Sequence, residues 1–323
     1  MPVSVEHCVV CQGSHFRRVE PYQSERIKTF YTACVSCGLV VMNPLPTPEE
    51  INSFYASEYW RQKAELNPAA AMQKQREFAV YIQNFIERHG SLALPHIHTL
   101  LEIGSSFGVT LQHLAGFMKS QGQQIEVFAI EPSSYAVQHG RDSYQGVTML
   151  GEDIEELRRY TDKTFDLIIL SHVLEHLYNP VEALSLIASH MSVNSLLYIE
   201  VPNYYGHYSL EYGHHYCFTP ASLRNCLMIA GFDIVAFDGL HHNPDVSLYL
   251  TCLVRKKPSA DVALSIQRES VAEVVRQRRQ GRRAYNWYLL RHTLASGGAK
   301  GVVSLSRSQV DHGDGRLTSE RVP

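Results

Sequence analysis

From residue 99 to residue 254 the chain alternates short apolar runs with helix-patterned segments, and that alternation limits its fold more than any other feature. Strands are expected at 99–103, 126–131, 147–150, 165–170, 195–201, 232–238 and 247–254, with helices at about 108–120, 134–141, 154–160, 181–191 and 220–230. A helix between two strands carries the chain back across a sheet face, so such strands pair in parallel. The last two strands are separated only by residues 239–246, too few for a crossover helix, and must form an antiparallel hairpin. The expected fold class is α/β, a Rossmann-like seven-stranded sheet with an antiparallel terminal hairpin. With 323 residues, 45% of them hydrophobic, the chain can bury a core without disulfide staples.

The cysteines point to a second, smaller unit. Cys8 and Cys11 form one CxxC and Cys34 and Cys37 another, while Cys217, Cys226 and Cys252 are scattered singly. Each two-residue spacer lets both thiolates of a pair turn toward one ion, so four cysteines in this pattern suit a tetrahedral structural zinc site. Four thiolates fill the coordination sphere and leave no position for water, so this metal is expected to hold structure rather than catalyse. The prolines of 43–48 close this zinc ribbon. The domain reading is a ribbon over 1–45, a helical linker or lid over 46–94, the α/β domain over 95–255, and a basic helix with a polar tail over 256–323. In the linker, Phe54, Tyr55, Tyr59 and Trp60 are aromatics available to line a site.

The α/β pattern also says where a ligand would bind, since open sheets of this kind take ligands at the carboxyl ends of their strands. Glu102, Gly104, Ser105, Ser106 and Gly108 form a glycine-containing turn between the first strand and its helix, where backbone can approach a ligand and free amides point outward. The spacing is GxxxG rather than the GxGxxG of nicotinamide folds. Glu131-Pro132 ends the second strand, where a carboxylate can accept from both hydroxyls of a ribose. Asp153 and Ile154 follow the third strand, and Ser171 and His172 the fourth.

In this order and spacing, the segments EIGSSFG (102–108), Glu131-Pro132, Gly151 to Ile154 and SHVLEHL (171–177) resemble the class I S-adenosylmethionine-dependent methyltransferases over residues 95–255. With the two CxxC pairs and the Asn43-Pro44, Phe54-Tyr55 and Tyr59 stretch, the chain resembles more narrowly the zinc-ribbon-bearing subgroup that includes sugar C-methyltransferases. The resemblance implies that the Glu102 to Gly108 turn cradles the amino-acid part of the cofactor. It further implies that Glu131 holds the ribose, that Asp153 and Ile154 face the adenine, and that Ser171 and His172 line the methyl-donor pocket. The implied acceptor is a small polar metabolite, a sugar or nucleotide sugar, methylated at oxygen or carbon.

Residues 203–218 hold five tyrosines and three histidines in a loop after the fifth strand. A structureless loop this long is usually functional, and this one is too aromatic to be disordered. A sulfonium is an excellent leaving group, so a methyltransferase mainly aligns donor and acceptor and removes a proton. His214 is the expected general base, with His215 as the second choice and Tyr212 as a substrate contact. The resembled subgroup carries a Glu-His pair at this frame, where this chain has Gly213-His214.

Charge is divided unevenly. Residues 255–323 carry 14 Lys and Arg against 6 Asp and Glu, whereas the whole chain has 29 against 32. The basic C-terminal part is expected to lie on the acidic body rather than to bind nucleic acid. The competing class is a zinc-ribbon nucleic-acid-binding or regulatory protein with a vestigial cofactor site. No apolar run approaches the length of a membrane span and no signal-peptide pattern opens the chain, so a cytoplasmic setting is the default expectation.

Overall fold

The computed structural model describes residues 2–24, 26–55, 59, 67–90, 93–207, 210–240, 243, 245–258 and 265–295. The cysteine segment folds as three antiparallel strands, β1 (Phe16–Gln23), β2 (Lys28–Cys34) and β3 (Val40–Asn43). Helix α1 (Pro48–Ser53) starts at Thr47, whose side chain and that of Glu50 satisfy each other's backbone amides in a capping box. Trp60, one of the linker aromatics, lies outside the described residues. Helix α2 (Pro68–Gly90) follows.

The main sheet then begins. In chain order come β4 (Thr99–Ile103), α3 (Val109–Ser120), β5 (Glu126–Ile130), α4 (Ser134–His139) and β6 (Val147–Gly151). A 3-10 turn (Ile154–Arg159) replaces the expected third crossover helix, and β7 (Leu167–Ser171), α5 (Pro180–Ser189) and β8 (Leu196–Pro202) follow. The chain continues through β9 (Tyr216–Cys217), α6 (Pro220–Ile229), β10 (Phe232–Asp238), β11 (Tyr249–Lys256) and α7 (Val271–Ala295). Strand order is β10-β11-β8-β7-β4-β5-β6, parallel from β8 to β6 and antiparallel through β11 and β10. Strands β5 and β6 extend to one side of β4, and β7 and β8 to the other. The carboxyl ends of β4 and β7 therefore flank the point where the winding reverses, the place at which open α/β sheets take their ligands.

Both faces of the sheet are covered, which is why its central strands read as continuous apolar runs. Leu100, Leu167, Ile169 and Tyr198 point toward Ile82, Phe85 and Ile86 of α2 and Leu111, Leu114 and Met118 of α3. Leu101, Ile168, Leu170 and Ile199 point the other way, into a cluster shared with α5 and α6. The same cluster continues into Tyr31, Val41 and Met42 of the ribbon, so the cysteine unit shares the core of the α/β domain.

One expectation is corrected. The 203–218 loop is not without structure of its own, because Tyr216 and Cys217 pair with Val41 and Val40 as the fourth strand of the ribbon sheet. The basic helix packs against the acidic body, pairing with Glu20. Val271 and Val274 of α7 are buried, as is Arg278, whose guanidinium donates to the carbonyls of Tyr204 and His207 and to Glu20. The expected polar tail from residue 296 onward lies outside the described residues.

Candidate functional site

The turn after β4 has the geometry of a ligand cradle. Gly104, Ser106 and Gly108 all have positive φ, at 75°, 51° and 70°. A Cβ on Gly104 would meet Val173 Cγ2 at 2.4 Å, so conformation and space both select glycine there. Glu131, at the tip of β5, accepts from the amide of Ser106 at 2.6 Å and from that of Ser133 at 2.9 Å. Burial pushes its carboxyl up from the ordinary value, and those two amides work against the rise. Glu102 is buried beneath the turn, and burial pushes its carboxyl well up. Tyr144, which sequence reasoning missed, bonds to the Ser105 hydroxyl at 2.8 Å and donates to the Ser106 carbonyl at 2.6 Å. No local pattern marks it, since it reaches the turn from the segment after α4. Asp153 is exposed and caps the 3-10 turn, accepting from Glu155 N at 2.9 Å, while Ile154 is buried.

Beside this cradle, at the end of β7, lies a group of imidazoles and carboxylates. His172 takes a φ of 56° and donates its amide to the Glu200 carbonyl at 2.8 Å. Its Nε2 is 3.2 Å from Glu200 Oε1 and its Nδ1 is 3.6 Å from Glu175 Oε1. Tyr198 and Thr251 donate to the other Glu200 oxygen at 2.8 and 3.0 Å. Burial opposes charge on His172, but Glu175 and Glu200 outweigh it and raise the imidazole to about 9. Burial likewise acts to raise the Glu175 carboxyl. The neighbouring histidines His176, His172 and His214 prevail and hold it at about 2. The edges of Phe78 and Tyr249 enclose the His172 ring.

The ribbon delivers the third component. Tyr31 of β2 donates its hydroxyl to the His214 carbonyl at 2.7 Å, and Met42 of β3 donates its amide to the His215 carbonyl at 2.8 Å. These contacts hold the 203–218 loop over the sheet edge, with the His214 ring 4.9 Å from that of His176. His176 Nδ1 lies 2.8 Å from the Gly213 carbonyl and 2.6 Å from the Tyr55 hydroxyl. A Cβ on residue 213 would lie 1.9 Å from that hydroxyl. Tyr55 thus stands in the space that a side chain at position 213 would enter, and glycine leaves room for it.

The structure distinguishes the two loop histidines. His214 adjoins His176 and Glu211, and burial, reinforced by His176, lowers its imidazole to about 3. The ring expected to act as general base is thus neutral and only weakly basic. His215 is fully enclosed with its ring 4.8 Å from that of Tyr178, and burial lowers it to about 3 as well. Tyr212 packs edge-on against Phe54 at 5.1 Å.

Away from the sheet edge, the four ribbon cysteines converge. Cys8 and Cys37 sulfurs are 3.5 Å apart, Cys11 and Cys34 sulfurs 3.4 Å, and all four lie within 4.8 Å of one another. Tetrahedral zinc with bonds near 2.3 Å sets sulfurs about 3.8 Å apart, so the donor set fits zinc. Cys217, Cys226 and Cys252 are separately buried.

A sheet of this order with a glycine turn and an acidic second-strand tip defines a class I, S-adenosylmethionine-dependent methyltransferase. A family model described as a methyltransferase domain matches residues 64–237, more than half of the chain, and the protein belongs to that family of enzymes. No curated protein sequence matches the chain. Among solved structures, the plantazolicin methyltransferase BamL, in complex with a triazolic desmethylPZN analog and SAH, is 14% identical with a TM-score of 0.52. That match covers 64% of this chain and 94% of BamL, and it shows a shared fold. The DhpI–SAH complex is 18% identical over 66% of this chain and 100% of its own, with a TM-score of 0.48. An S-adenosylmethionine-dependent methyltransferase from Clostridium acetobutylicum is 12% identical over 55% and 90%, with a TM-score of 0.43.

Proposed function

We propose that this methyltransferase transfers the methyl group of S-adenosylmethionine to a small polar metabolite held between the cofactor cradle and the 203–218 loop. The observation that carries the reading is the meeting of His214, His176 and Tyr55 beside the end of β7. In this reading Glu102, Gly104, Ser105, Ser106 and Gly108 hold the amino-acid end of the cofactor. Glu131 and Pro132 hold its ribose, Asp153 and Ile154 its adenine, and Ser171 and His172 border the methyl group. The acceptor loses its proton beside the imidazole cluster, of which His214 is the loop member. His215 is too enclosed to share that role, and Tyr212 shapes the pocket through Phe54.

A sugar or nucleotide sugar, methylated at oxygen or carbon, is the acceptor class proposed. Its support is the ribbon-and-loop resemblance together with a pocket wall rich in tyrosine and histidine, groups that stack on and hydrogen-bond to hydroxylated rings. The four cysteines hold one structural zinc. A nucleic-acid reading is disfavoured because Arg278, in the middle of the basic helix, is buried within the fold.

Calorimetry with S-adenosylmethionine, followed by a screen of hydroxylated metabolites and nucleotide sugars, tests the proposal. Micromolar cofactor binding is expected, with turnover of one acceptor class falling at least ~100-fold in His214→Ala. Absence of binding at millimolar cofactor, or full turnover in that variant, refutes it.

A further inference from the structure

The buried Glu175 carboxylate poses a problem that the methyl-transfer reading leaves open. Its side chain is 2% exposed, and neither of its oxygens receives a hydrogen bond. A carboxylate so enclosed loses its hydration and needs a compensating donor or positive charge. His172 supplies positive charge but no hydrogen bond, its Nδ1 standing 3.6 Å away, and His176 Nε2 lies at 3.8 Å, so the carboxylate oxygens have room for a closer cation. One ligand atom from each of Glu175, His176 and His214 lies within 4.8 Å of the other two.

The tautomer of His176 is set by its other nitrogen. The Gly213 carbonyl at 2.8 Å can only accept, so Nδ1 carries the hydrogen, beside the Tyr55 hydroxyl at 2.6 Å, and the Nε2 lone pair lies on the Glu175 side, 3.8 Å from its carboxylate. An imidazole whose far nitrogen is anchored on a carbonyl is the usual arrangement of a metal-ligating histidine. Two imidazoles and one carboxylate form a donor set for a divalent transition ion, with coordination positions to spare. Ligands bonded at about 2.1 Å sit roughly 3.0–3.5 Å apart, so a cation would draw these three together by less than about 2 Å.

We infer that Glu175, His176 and His214 form a second metal site, distinct from the four cysteines, which binds a divalent cation and presents it to a hydroxyl of the acceptor. The inference rests on the acceptor pocket proposed above and narrows the acceptor to an oxygen nucleophile. The bound cation lowers the hydroxyl pKa, and the proton leaves to solvent. The resulting alkoxide forms a bond to the methyl carbon of the sulfonium. The carbon–sulfur bond breaks, and its electron pair stays on sulfur as the neutral thioether. His176 and His214 then promote proton loss by holding the cation.

The test is titration of the full-length, zinc-loaded protein with Mn2+, a poor ion for the cysteine site, following the free-ion electron paramagnetic resonance signal. About one equivalent of binding is expected, lost by at least tenfold in affinity in His176→Gln and in His214→Asn. The second variant guards against misfolding of the first, and calorimetric S-adenosylmethionine binding in each preparation confirms a competent fold. No Mn2+ binding at millimolar concentration by wild-type protein that binds the cofactor overturns the metal site and leaves the methyltransferase reading standing. Binding unchanged in both variants also overturns it. If the cofactor fails to bind while Mn2+ does, the acceptor reading fails and the metal site survives.

Discussion

Glu131, proposed to hold the ribose of the cofactor, is the side chain through which the fold would set cofactor affinity. Its two oxygens already accept from the amides of Ser106 and Ser133, which fixes the carboxylate at the lip of the cradle. Burial raises its pKa, so the proton is taken up at a higher pH than by a free glutamate. Binding of a ribose diol favours the ionised form. Cofactor affinity is therefore expected to fall as pH is lowered toward and through that raised value, and to be fully present above it. The titratable groups facing Glu131 are Glu102 and Tyr144; the first shares the upward shift, and the second stays protonated throughout this window. In Glu131→Gln, cofactor affinity should drop by about tenfold, matching a lost charge-assisted hydrogen bond of ~1.5 kcal/mol, and lose this pH dependence. Calorimetry at several pH values measures both effects. Gly213 is a second residue-scale determinant, since any side chain there displaces the Tyr55 hydroxyl from His176.

Among the elements, α7 and β9 do more than their lengths suggest. Arg278 of α7 holds the Tyr204 and His207 carbonyls and pairs with Glu20 of β1 at 3.2 Å, so one buried guanidinium ties the helix, the loop and the ribbon together. Removing one member of such a buried pair leaves the other uncompensated and costs about 3–5 kcal/mol. Arg278→Met is expected to lower the urea midpoint accordingly. Arg279→Met, one position away on the same helix, should leave the midpoint nearly unchanged. The two-residue strand β9 fixes the register of the loop, because its pairing with Val40 and Val41 aims the residues just before it at the sheet edge. Most helix and strand positions of the α/β domain follow the sequence, the 3-10 turn at Ile154–Arg159 excepted, whereas β9 carries no strand signal. Two residues are too few for a periodic signal, and their partner lies in a strand far away in sequence.

At the scale of the whole molecule, the ribbon acts as a support for the site. Its sheet, the loop and the α/β domain share one core, so loss of the cysteine cluster should be felt at the sheet edge. Titrating the cysteines with a thiol reagent should release one tightly held zinc. Cys8→Ser with Cys37→Ser should lower the melting temperature by several degrees and reduce turnover more than cofactor affinity. Release of no zinc by a folded wild-type protein contradicts the ribbon proposal. Among the described residues no helix is long and apolar enough to cross a membrane.

The sequence by itself determined the α/β order, the antiparallel ending, the glycine turn with Glu131 and the four-cysteine pattern. Those features are written in short-range periodicity and spacing, which depend on neighbours a few residues away. Only the tertiary structure decided that the ribbon shares the α/β core and that α7 locks the loop in place. It also decided which loop histidine meets His176, and that Tyr55 fills the space at Gly213. These outcomes depend on contacts between residues far apart in the chain, such as Tyr31 with His214 and Glu20 with Arg278. No local pattern encodes such contacts, because burial and pairing are fixed only when the separate elements pack.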